Sequence, residues 1–106
     1  MLERDYQTHV LRRLRGMFPG CVILRNDAGY MQGIPDWSLF WGRQWAMLEI
    51  KKDKKARVQP NQPHYVEVLN EMSFAAFIYP ETEEEVLDAL QRAFKLDRDT
   101  RISESQ

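Results

Sequence analysis

The 106-residue chain has a single cysteine, Cys21, so no disulfide can form within it. A lone thiol at the start of an apolar run is expected to be a buried structural group rather than a reactive one. Nowhere does the chain carry 18 successive apolar residues, which excludes a membrane-spanning helix. There is no internal repeat, no low-complexity stretch and no linker of the kind that separates domains. The opening MLERDYQTHVLRRLR is charged from position 3 and lacks the apolar segment of a signal peptide, so the expected location is cytoplasmic and the thiol reduced. What the chain does have is 43 % hydrophobic and 29 % charged residues, the balance of a folded globular protein. At this length one domain with one core is expected, over residues 1–96, followed by a polar, disordered tail at 97–106.

Charge of one sign is also missing: the formal net charge is −1. Split along the chain, that balance is less even. Residues 1–80 hold 11 Lys and Arg against 8 Asp and Glu, whereas residues 81–106 hold 4 against 8. The first segment is therefore mildly basic and the acidic end masks it. A charge run is commonly only a solvated face, so this asymmetry by itself argues weakly for a nucleic-acid partner.

Apolar residues Leu2, Tyr6, Val10, Leu11, Leu14, Met17 and Phe18 recur at three- and four-residue intervals, the stripe of an amphipathic helix that Pro19-Gly20 stops. Residues 21–26 (CVILRN) form a β-branched run and predict a strand. The segment 27–35 (DAGYMQGIP) reads as loop. Two apolar runs, Asp36–Trp41 and Gln44–Lys51, flank Gly42-Arg43, and glycine at the first of two central positions predicts a type II′ hairpin. A polar stretch over 51–63 precedes a second helix starting near Pro60 and ending at Ser73. FAAFIY at 74–79 predicts a last strand. Thr82 with Glu85 predicts a capping box that opens a third helix bearing Val86, Leu87, Leu90, Ala93 and Phe94 inward. The order α-β-β-β-α-β-α implies an α/β sandwich around a mixed sheet.

The hairpin register follows from its turn. If Gly42-Arg43 is the loop, Trp41 faces Gln44 and Asp36 faces Glu49, with Cβ atoms roughly 4.5–5.5 Å apart. Lys51, two residues beyond Glu49, projects from the same face. Trp37, Leu39, Trp41, Ala46, Leu48 and Ile50 form the opposite, wholly apolar face, which pins the register because a one-residue slip would expose it. Two carboxylates and an amine thus meet at one end of the hairpin. Opposed carboxylates repel, and a divalent cation removes that penalty. Mg²⁺ prefers one or two carboxylates with waters and phosphate oxygens. A strand-start aspartate and a surface Glu-x-Lys pair are the plainer explanation; the Glu-x-Lys tripeptide is common by chance, and Pro-Asp opposite it in a readable hairpin makes the set more particular.

Gly33-Ile34-Pro35-Asp36, Glu49-Ile50-Lys51 and Gln62 at the start of a helix resemble the PD-(D/E)XK nuclease superfamily, and within it the stand-alone VRR-NUC (virus-type replication-repair nuclease) group. The resemblance covers about residues 1–80. It implies a restriction-endonuclease-like core and a Mg²⁺-dependent endodeoxyribonuclease, with Mn²⁺ able to substitute. It assigns metal binding to Asp36, Glu49 and the Ile50 carbonyl, with Glu3 of the first helix as an outer ligand. Lys51 would be catalytic and Gln62 would support the site. Arg25-Asn26 is similar to the edge of the family's second strand and joins the candidate DNA contacts. The resemblance further implies a homodimer acting on Holliday junctions, flaps or forks in bacterial or phage DNA recombination, repair or replication. Two departures stand out: Gln59-Pro60-Asn61-Gln62-Pro63 lacks the usual Ser or Thr cap, and Pro63 bears on how Gln62 is oriented.

Lys51, Lys52, Lys54, Lys55 and Arg57 follow the motif on a loop, where they suit phosphate contacts as well as plain solvation. His64 and His9 are expected to be structural or surface residues. Trp37 and Trp41 belong to the core face, while Trp45 falls on the other face with Phe40, open to a subunit contact or base stacking. Tyr30 and Met31 precede the motif, placed to meet a DNA junction. Two further possibilities are a DNA-binding or assembly module that keeps the fold without catalysis, and a sequence-reading restriction enzyme. The joint presence of Asp36, Glu49, Lys51 and Gln62 argues against the first. The short chain, with little room for a recognition domain, argues against the second.

Overall fold

A computed structural model describes the main chain at residues 1–27, 29–55 and 58–104, with side chains described as far as residue 95. The elements are α1 (Glu3–Met17), β1 (Val22–Arg25), β2 (Trp37–Trp41), β3 (Gln44–Ile50), α2 (Gln62–Met72), β4 (Phe74–Ile78) and α3 (Glu83–Glu104). They form one four-stranded sheet in the order β1-β2-β3-β4. The first three strands pair antiparallel, and β4 pairs parallel to β3. That parallel pairing follows from the α2 crossover, since a tight turn can join only antiparallel neighbours. The fold is the expected α/β sandwich.

One core holds it together. Tyr6, Val10, Leu11, Leu14 and Phe18 of α1 meet Leu39, Ala46, Leu48, Ile50 and Ile78 of the sheet and Leu87, Leu90 and Phe94 of α3. The α1 stripe read from spacing is therefore the face that is buried, apart from Leu2, which is exposed, and Met17, which is half-buried. After α1, Gly20 takes φ 84° in the turn closed by the Cys21 N–H donating to the Phe18 carbonyl at 3.0 Å, a conformation that glycine adopts without Cβ strain. No residue of α2 belongs to this core; the helix packs on β3 and β4 from the other side.

The hairpin register is the one read from the sequence, with Trp41 opposite Gln44 and Trp37 opposite Leu48. Leu39, Ala46, Leu48 and Ile50 are buried, and Trp37 and Trp41 pack half-buried against them. Two local expectations differ from the structure. The Thr82 hydroxyl turns back to accept from the Tyr79 N–H at 3.3 Å instead of capping toward Glu85. The turn after β4 engages Thr82 twice, since the Thr82 N–H also donates to the Tyr79 carbonyl at 3.0 Å. The third helix also runs on to Glu104, past the boundary expected at residue 96. The sequence there is polar but contains no proline or glycine to break a helix. No helix among the described residues is long and apolar enough to cross a membrane.

Candidate metal and nuclease site

Asp36 ends the loop entering β2, and Glu49 lies near the end of β3, directly across the hairpin. Their contact is specific: the Asp36 N–H donates to Glu49 Oε1 at 3.2 Å. The Lys51 ammonium lies 3.6 Å from the other oxygen, Glu49 Oε2. Glu49 is 2 % exposed and Lys51 7 %, so both charged groups sit inside the protein surface. Burial pushes the Glu49 carboxyl up to about 7, and the neighbouring Asp36 charge pushes the same way; Lys51 opposes them without cancelling them. The surroundings thus disfavour the charged form of Glu49 at this end of the hairpin.

The approach of Asp36 is held by Asn26. Its main-chain N–H donates to the Asp36 carbonyl at 2.7 Å and its side-chain amide to the Pro35 carbonyl at 2.8 Å. Its own side-chain oxygen accepts from Ser38 at 2.9 Å. Asn26, read from sequence as a DNA contact, spends its side chain inside the protein. Arg25 lies with its guanidinium carbon 5.4 Å from the centre of the Trp37 ring, a cation–π contact. Gly33, in the same loop, has φ 95°, and a Cβ there would come within 2.5 Å of Asn61 Cβ. Only glycine lets this loop close against the start of α2.

That closure brings Gln62 near the loop. Gln62 is buried, and its Oε1 accepts from the Gln59 N–H at 2.9 Å, fastening the turn that leads into α2. Glu3 stands at the first turn of α1. Among the described residues, however, no three His, Cys, Asp or Glu side chains gather closely enough to hold a metal ion, so the structure does not bring Glu3 up to Asp36 and Glu49. Lys52, Lys54 and Lys55 are exposed on the loop after the motif; Arg57 lies outside the described residues. His64 is exposed on α2, and His9 is paired with Glu83 at 2.9 Å, away from Asp36 and Glu49. Tyr30 is 87 % exposed and Met31 42 %, both on the loop preceding Asp36.

Gln7 was missed by the sequence reading. It is 6 % exposed, and its side-chain amide donates to the Ile50 carbonyl at 3.1 Å. A signal existed: Gln7 lies one turn from Glu3 and from Val10 and Leu11, so it is a polar residue on a buried helical face. Ser38 was also passed over, although alternation puts it on the same sheet face as Glu49.

The donor set suits a hard cation. Two carboxylates and a main-chain carbonyl are the kind of oxygen ligands that Mg²⁺ or Mn²⁺ takes. No protein-family model matches this chain, and no curated protein does. Among solved structures it is similar to a "VRR_NUC domain protein", with a TM-score of 0.65 and 22 % identity over 91 % of this chain and 90 % of that one. At that identity the likeness establishes the fold: the chain has the architecture of a VRR_NUC domain.

Proposed function

We propose that the protein is a divalent-metal-dependent endonuclease that hydrolyses DNA phosphodiester bonds. The observation that carries this reading is the convergence of Asp36, Glu49, Lys51 and the Ile50 carbonyl at one end of the hairpin, in a fold shared with a VRR_NUC domain protein. Asp36, Glu49 and the Ile50 carbonyl are the groups that would hold Mg²⁺ or Mn²⁺, with Glu3 entering from α1 if substrate draws the sites together. Such an ion, when bound, supplies positive charge to a phosphate oxygen and makes water more acidic. Glu49 takes its metal-binding form once its proton is displaced. Lys51, held against Glu49, presents an ammonium where negative charge builds on the phosphate during attack by water. Attack breaks one P–O bond and leaves a phosphate monoester on one strand end and a hydroxyl on the other. Gln62 keeps the loop before α2 in place beside this chemistry.

Lys52, Lys54, Lys55 and Arg57 are assigned to phosphates flanking the scissile bond, with Arg25 at the edge of the sheet. Val22, Leu24 and Phe40 leave apolar surface on the sheet face that carries Glu49, which supports a homodimer as the working form. Exposed Tyr30 and Met31 on the loop before Asp36 support preference for branched DNA, where unstacked bases are accessible. The setting this implies is DNA recombination, repair or replication in a bacterial cytosol or a phage-infected cell.

The test is cleavage of labelled linear duplex, flap, fork and four-way junction DNA with Mg²⁺, Mn²⁺ or EDTA. Cutting that needs metal and disappears in Asp36→Ala is expected. Binding to all four without cutting would replace the enzyme by a DNA-binding module. Equal rates on duplex and branched forms would remove the preference for branched DNA.

A further inference from the structure

We propose that Gln7 is a positioning residue for the metal-binding carbonyl of Ile50, which lies beyond the last paired position of the hairpin. The inference rests on the reading of Asp36, Glu49 and Ile50 as a metal site.

In an antiparallel hairpin with a two-residue loop, the closing pair exchanges main-chain hydrogen bonds, and every second pair after it does the same. Here the closing pair is Trp41–Gln44, so Leu39–Ala46 and Trp37–Leu48 follow as bonded pairs. Two contacts on the other edge of β3 agree. The Lys51 N–H donates to the Ile78 carbonyl at 2.9 Å, and the Trp45 carbonyl accepts from the Ser73 hydroxyl, so odd-numbered groups point toward β4. Even-numbered groups, Ile50 among them, therefore point toward β2.

The next partner in that series for Ile50 is Pro35, and proline has no N–H to donate. The Pro35 carbonyl is already occupied by the Asn26 side chain at 2.8 Å. The pairing ends at Trp37–Leu48, and Pro35 has no N–H with which it could be extended to Ile50. Inside the protein such a carbonyl needs a partner. Gln7 supplies it from α1, 43 positions away in sequence, at 3.1 Å. A carbonyl oxygen has two lone pairs, so one bond from Gln7 leaves a second that a cation could use. Because Gln7 is buried on α1, whose neighbours Tyr6, Val10 and Leu11 are all in the core, its amide cannot wander. The carbonyl is aimed by a helix, not by the sheet.

A buried amide that merely satisfies a carbonyl and one that aims it for a cation behave oppositely when removed. Loss of mere satisfaction lowers stability, and leaves metal affinity unchanged or raises it, since a cation would then relieve the orphaned oxygen. Loss of aim weakens metal binding. The experiment is titration of Mn²⁺ into wild type, Gln7→Leu, Gln7→Met and Asp36→Asn by calorimetry, with thermal melts in EDTA alongside. Gln7→Met keeps an unbranched side chain of similar length and serves if Gln7→Leu does not fold. The expected result is about a tenfold loss of Mn²⁺ affinity in the folded Gln7 variant, the size seen when outer partners of metal ligands are removed. Unchanged or tighter Mn²⁺ binding in that variant, with Asp36→Asn still weakened, overturns the role of Gln7 and leaves the metal site standing. No saturable Mn²⁺ binding by wild type overturns both.

Discussion

Two buried carboxylates in this protein have opposite surroundings. Glu49, at the end of the hairpin, is 2 % exposed and is pushed up to about 7 by burial and by Asp36. Glu83, at the start of α3, is 8 % exposed. Burial works against its charge too, but hydrogen bonds from Arg13 and His9 outweigh that and hold it below the usual carboxylate range. Arg13 bridges Glu83 and Glu84 together, tying α1 to α3. One carboxylate is satisfied by the chain itself and serves the fold. The other is buried beside a second carboxylate with one ammonium near it, and its charged form is disfavoured there.

The largest effect expected from breaking this contrast is on catalysis. Lys51→Ala should lower metal-dependent cleavage by about a hundredfold or more without changing the far-ultraviolet circular dichroism, because a charge donor at the reacting phosphate is lost. Retained cleavage would remove Lys51 from the chemistry. On stability the two carboxylates should part company. Glu83→Gln should destabilise the protein by about 2 kcal/mol in urea unfolding, the scale of a hydrogen bond to a charged group, while Mn²⁺ affinity stays at the wild-type value. Glu49→Gln should abolish cleavage yet stabilise the metal-free protein by about 1 kcal/mol at pH 8, since it removes a buried charge from beside Asp36. Destabilisation by both variants would mean that both carboxylates are structural.

The pH dependence has a definite sign. A carboxyl raised in the folded state favours folding while protonated, so the Glu49 contribution is present below its unfolded value and is lost as pH rises through about 7. Glu83 is lowered, so its contribution is present above the unfolded value and is lost as pH falls through the folded one. In EDTA, unfolding free energy attributable to Glu49 should therefore decline between about pH 5 and pH 8. The decline should vanish in Glu49→Gln and persist in Glu83→Gln. The smallest effect expected is from Pro35→Ala, which adds an N–H at the position that would extend the hairpin pairing to Ile50. Mn²⁺ affinity should fall by about threefold, a fraction of the range for outer-partner changes. Unchanged affinity would show that the ladder does not extend to residue 35.

Much of the site was legible because β-structure reports on itself. Alternation over Trp37–Trp41 and Gln44–Ile50, with glycine at the turn, left one register that buries the apolar residues, and that register carried Asp36 opposite Glu49. The pairing of Glu83 with Arg13 was not legible, since 70 residues separate them and nothing local marks charged residues as partners. The orientation of Asn26 was likewise hidden: on a strand edge it reads as a surface contact, and only the loop folding back through Pro35 gives its amide an internal acceptor. Thr82 showed the reverse failure, a capping pattern whose hydroxyl is engaged by the amide at Tyr79 instead.

By itself the sequence determined the order of elements, the hairpin register, and the presence of two carboxylates and an amine on one face. These follow from periodicity and turn chemistry, which act over a few residues. Tertiary structure alone decided which carboxylate is disfavoured in its charged form and which helix reaches the Ile50 carbonyl. Those outcomes depend on burial and on groups tens of residues apart in the chain, and the cost of a buried charge is set by whichever neighbours folding delivers.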